Sequence, residues 1–161
     1  MEGEGYIVTI LRRGEHAPHE NGVKKKCSTV LLRGPSGCMV VNPGSVWDGP
    51  NLISSLKAVG VSNPETEVTC VICTDGRAEN VGCMSLFHNA DMMIVGYDIQ
   101  KRGDIFLEHD FGDGIVPYEF DEHEIMALLA WPFTTTATRA NWNGQLDHCG
   151  ITGILRGYVV C

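Results

Sequence analysis

No stretch of this chain is long and apolar enough to cross a bilayer as a helix. Positive charge is also scarce: twelve Lys and Arg stand against twenty Asp and Glu, a formal net charge of −8. That balance opposes binding to a phosphate backbone, which depends on neutralising phosphates with basic side chains. A nucleic-acid partner is therefore not expected, and neither is a membrane. Internal repeats and low-complexity segments are missing. The opening residues Met1-Glu2-Gly3-Glu4-Gly5 are acidic where a secretory leader would be basic, and no apolar segment follows them. With no signal peptide expected, the seven scattered cysteines, an odd number, point to reduced thiols in the cytoplasm or nucleus.

What is present suits one folded domain over residues 1–161, with 43% hydrophobic residues and a mean hydropathy of −0.02. Tyr6 to Leu11 alternates as a first strand. Arg12 to Lys26 reads as a polar loop, in which Lys24-Lys25-Lys26 is a solvated run and His16 and His19 lie in solvent. Cys27–Arg33 and Cys38–Val41 are strands joined by a Gly34-Pro35-Ser36-Gly37 turn. Asp48 to Gly60 predicts a helix with Asp48 as its cap, Pro50 in the first turn and Leu52, Ile53, Leu56 and Val59 on one face. Val61 to Glu67 then crosses over to a buried strand, Val68–Cys73. Cys70 and Cys73 have the spacing of a metal pair, but residues three apart on a strand face opposite sides. Buried structural thiols are expected there.

Val81 to Phe87 reads as a short helix and Asp91 to Tyr97 as a strand. Asp98 to Asp113 is irregular, with His109 at the surface. Ile115–Phe120, His123–Ala130 and Ile151–Val160 are further strands. The order strand, helix, strand is that of α/β layering.

Between the buried strand and the short helix lies Thr74-Asp75-Gly76-Arg77-Ala78-Glu79-Asn80-Val81-Gly82. A polar loop at this junction is a common place for a functional site. Its frame resembles the metallo-β-lactamase superfamily, where the motif reads Thr-His-Gly-His-Ser-Asp-His-x-Gly and its histidines and aspartate hold one or two metal ions, usually zinc. Met39-Val40-Val41-Asn42-Pro43-Gly44 resembles the family's strand ending in Asp-Pro-Gly. Leu86-Phe87 and Ile94-Val95-Gly96-Tyr97-Asp98 are similar to the branch of metallo-β-lactamase domain-containing protein 1. The resemblance runs over residues 6 to 160 and is strongest from 27 to 104. It implies a four-layer αββα sandwich of mixed sheets, truncated here at its C-terminus, whose open strand edge would favour a homodimer.

The resemblance also marks what has changed. From Asp75 to Asn80 only Gly76 keeps the family residue. Asp75, Arg77, Glu79 and Asn80 stand at positions of a degenerate metal motif. Asn42 replaces the aspartate that supports the ligands, and Thr134 stands where a later metal-binding histidine would be, near an insertion at Thr136–Asn143. His148 has no spacing that demands a role, and the family's bridging aspartate and final histidine have no counterpart. Asp75 and Glu79 are weak metal candidates, with Asn80 a third oxygen donor for Mg²⁺ or Mn²⁺. Arg77 cannot ligate; it either sits between Asp75 and Glu79 as a counter-ion, or all three lie in solvent.

Two functions are implied. One is a catalytically inactive pseudo-hydrolase that binds or regulates an unknown protein or small molecule, with no cofactor. The other is a metal-dependent hydrolase, endoribonuclease-like and acting on histone pre-mRNA, with zinc or manganese if the family activity is retained. A small α/β domain with a purely structural role is a third reading.

Overall fold

A computed structural model describes residues 6–35, 37–96 and 98–107, and beyond them the strands at 116–120, 123–127, 153–155 and 158–160. The central feature is a mixed sheet of seven strands: β1 (Ile7–Arg12), β4 (Thr29–Gly34), β5 (Gly37–Val41), β6 (Val68–Cys73), β7 (Met92–Val95), β8 (Asp98–Lys101) and β9 (Ile105–Phe106), in that spatial order. The β5–β6 and β6–β7 pairs are parallel and the others antiparallel. The parallel pairs need crossovers, and helices supply them. Between β5 and β6 come α1 (Gly49–Ala58) and α2 (Pro64–Glu67); between β6 and β7 come α3 (Ala78–Val81) and a 3-10 turn, Met84–Phe87. The class is α/β, as the sequence implies.

The period-two alternation of the strands sorts their side chains onto two buried faces. Val30, Leu32, Met39, Val41, Cys70, Ile72, Ile94 and Ile99 form one core cluster. Leu31, Val40, Val71 and Cys73 point the other way and pack with Leu52 and Leu56 of α1 and with Phe87. Leu56 and Phe87 are fully buried; each such side chain contributes about 1.5–3 kcal/mol. Cys70 and Cys73 lie in opposite clusters, as their spacing on a strand requires.

Several local expectations need correction. Arg12 to Lys26 is not a loop: β1 runs through Arg12, and β2 (Glu15–His19) and β3 (Gly22–Lys26) form an antiparallel hairpin. His16 and His19 are exposed on it. The expected helix at Val81–Phe87 is two short pieces, α3 and the 3-10 turn, separated at Gly82 and Cys83. The charged segment from Asp98 onward holds β8 and, at the edge of the sheet, β9. A further antiparallel sheet contains β10 (Val116–Phe120), β11 (His123–Ala127), β12 (Gly153–Leu155) and β13 (Tyr158–Val160). The single last strand expected over Ile151–Val160 is thus two short paired strands. His109, Thr134, the Thr136–Asn143 insertion and His148 lie outside the described residues.

Candidate functional site

Two loops meet at the carboxyl ends of the parallel strands β5 and β6, where open α/β sheets place their ligands. The first begins at Asn42. Its N–H continues the ladder to the Ile72 carbonyl at 2.7 Å, and its φ of 49° then turns the chain out of the sheet. Asparagine tolerates this left-handed conformation better than most residues. The Asn42 carbonyl accepts from the Thr29 hydroxyl at 2.8 Å, and the Cys27 sulfur lies 3.6 Å from it. Its side-chain oxygen accepts the Thr74 N–H at 2.9 Å, and its Nδ2 donates to Thr74 Oγ1 at 3.2 Å. Asn42 is buried and ties the first loop to the second.

The second loop carries Asp75, Arg77, Glu79 and Asn80. Asp75 Oδ1 accepts the Arg77 N–H at 2.9 Å and Asn80 Nδ2 at 2.7 Å. Its Oδ2 accepts Arg77 Nε at 2.8 Å and meets Nη2 at 2.7 Å. On its other side Arg77 Nη1 lies 3.6 Å from Glu79 Oε1. Of the two expected arrangements the structure thus shows the first, a guanidinium between the carboxylates. Burial raises the Asp75 pKa, but the bonds from Arg77 and from Asn80 outweigh it and hold it below the ordinary value. Asn80 is itself buried.

The hairpin and the first loop bring residues the sequence reading did not assign to the site. Lys25 Nζ reaches Glu79 Oε1 at 3.5 Å, the same oxygen that Arg77 approaches. Asp48 does not cap α1 with its side chain. It folds back instead, its Oδ2 accepting the Ser45 N–H at 2.8 Å and the Ser45 hydroxyl at 2.9 Å. The same oxygen pairs with Arg12 Nη1 at 2.9 Å, and Lys26 Nζ lies 3.8 Å from Oδ1. Burial raises the Asp48 pKa, but the Ser45 and Arg12 bonds win and leave it lowered. Arg12 Nη2 also donates to Cys27 Sγ at 3.3 Å, and that thiol donates to the Glu79 carbonyl at 2.8 Å. The Lys24-Lys25-Lys26 run was the available signal for two of these residues, and it read as a solvated loop because the hairpin was not foreseen.

The chemistry of this arrangement is that of an ion-pair network. Among the described residues no three His, Cys, Asp or Glu side chains are grouped as a metal site needs. A cation between Asp75 and Glu79 would have to displace the guanidinium that stands there.

The chain is similar to proteins named for a metallo-β-lactamase domain. Among curated relatives, it is 36% identical to metallo-β-lactamase domain-containing protein 1 of Xenopus laevis over 105 residues, 65% of this chain and 42% of that protein. It is 29% identical to the Homo sapiens protein of the same name over 118 residues, 71% of this chain and 43% of that one. The chain thus spans less than half the length of these relatives. Its solved structural neighbours include a Cronobacter sakazakii metallo-β-lactamase with an HARLDQ motif (TM-score 0.46, 14% identity, 77% of this chain and 52% of that one). The Rm3 metallo-β-lactamase is another (TM-score 0.44, 16% identity, 74% and 49%). No family model matches the sequence.

Proposed function

We propose that this chain is a metallo-β-lactamase-fold protein that has lost its metal ligands and acts as a non-catalytic binding or regulatory module. One observation carries the reading: Arg77 lies between Asp75 and Glu79, bonded to the first at 2.7–2.9 Å and 3.6 Å from the second. The donor set does not fit a catalytic metal. Such a site needs about three protein ligands and an open position for water, and a fixed cation inside the cluster repels a divalent ion. Asn42 fits the same reading, since its amide serves a neutral hydroxyl and an N–H. Without such a metal, the lowering of a bound water's pKa that the ion supplies is lost.

Metal analysis of the purified protein tests this. The expected result is less than stoichiometric zinc and manganese, with no hydrolysis of phosphodiester or ester substrates when either ion is added. A stoichiometric transition metal together with metal-dependent turnover overturns the reading in favour of the hydrolase that the fold implies.

A further inference from the structure

The charges around the two loops are sorted by depth. The side chains of Asp48, Glu79 and Asp75 are 9%, 18% and 21% exposed, whereas those of Lys25, Lys26 and Arg77 are 37–42% exposed. In a chain of net charge −8, this site therefore turns a cationic rim to solvent over a compensated acidic floor. The pairs differ in closeness. Asp75 and Asp48 are held at 2.7–2.9 Å by arginine and by hydrogen bonds. Glu79 Oε1 is approached by two cations, Lys25 and Arg77, at only 3.5 and 3.6 Å. Two cationic heads that face one oxygen are close enough to share one small anion. One of them is a planar fork suited to phosphate and the other a point charge.

We propose that Lys25 and Arg77 form a receptor for a phosphate-type dianion, with the Glu79 carboxylate as its internal occupant. The proposal rests on the metal-free reading above and names the ligand class of the same site. An incoming dianion replaces one negative charge with two and takes donors from both cations. Glu79 swings to solvent, from which it is already partly exposed. The clamp spans the hairpin strand β3 and the loop after β6, so occupancy is coupled to how the hairpin lies against the loop.

The test is calorimetric titration of EDTA-dialysed protein with inorganic phosphate, and separately with acetate, at low ionic strength. Phosphate should bind more tightly than acetate, and added salt should weaken it. Glu79→Gln, which removes the competing charge and keeps the shape, should tighten phosphate binding by about fivefold, and Lys25→Ala should weaken it by about as much. Lys25 is on an exposed strand, so its variant reports on binding and not on folding. No phosphate binding, or binding unchanged in both variants, overturns the clamp and leaves the metal-free reading intact. Binding that appears only after zinc is added overturns the metal-free reading along with it.

Discussion

Single residues at the site do separable jobs. Asn42 holds a left-handed turn while its amide bonds both the N–H and the hydroxyl of Thr74. Asn42→Ala removes both bonds and leaves a residue ill-suited to that φ, at an expected cost of about 2–4 kcal/mol in urea unfolding. Asn42→Asp installs the aspartate that the sequence resemblance implies at this position. A buried carboxylate with only a hydroxyl and an N–H for company should destabilise the fold at neutral pH, and part of the loss should be recovered as the pH falls. In the next loop, Arg77→Ala should cost no more than about 1 kcal/mol, because its partners are partly solvated. Asp75→Ala should cost more, because Asp75 also accepts the Arg77 N–H and the Asn80 amide. Both Asp48 and Asp75 have lowered folded-state pKa values. Their contribution is therefore complete above the ordinary value of 3.8 and is lost as acid takes the pH down through the lowered values. An acid titration followed by circular dichroism should show this loss shrink in Asp75→Ala.

At the scale of elements, periodicity made legible what burial controls. The strands β4 to β7 and helix α1 were readable because their apolar residues face a core. The β2–β3 hairpin was not, because none of its residues is fully buried and its sequence is mostly Glu, His, Pro and Lys. Its remaining signal was Asn21-Gly22, a turn pair at the end of a two-residue connection. Strands β8 and β9 were hidden for a related reason: three of the four residues of β8 are polar or charged, and β9 is only two residues long. The Asp75–Arg77–Glu79 spacing foresaw one arrangement of the site, yet the contributions of Arg12, Lys25 and Asp48 depend on strands far apart in the chain and had no local pattern. Gly82 shows how tightly the loops interlock. A Cβ there would lie 2.2 Å from the Val46 nitrogen and 2.5 Å from the Ser45 carbonyl carbon, both backbone atoms that cannot swing aside. Gly82→Ala should therefore force the two loops apart and lower stability by about 3 kcal/mol or more. The check is a thermal melt beside that of Gly76→Ala, where a Cβ meets nothing within 4 Å and a small effect is expected.

For the molecule as a whole, the sheet is a septum with a core on each side, and β6 runs through its middle with one thiol in each core. Burial pushes the Cys70 thiol up to about 12, with a further rise from nearby Cys73. Burial likewise takes Cys73 to about 12, helped by Cys27 and Asp75. Neither is a reactive nucleophile in the folded state, because the thiolate is the attacking form. The linkage follows from the sign of the shift. The unfolded chain releases these protons near 9.0, whereas the folded chain keeps them to about 12. The stabilisation is complete below about 9 and drains away as the pH climbs toward 12. The urea midpoint should therefore fall steeply over that range. In Cys70→Ala/Cys73→Ala the midpoint should start lower, because two side chains have left the cores, and should then vary less with pH. A variant that keeps the full alkaline slope would show that the base sensitivity arises elsewhere. The septum would then not be what couples the protonation of its thiols to the integrity of both cores.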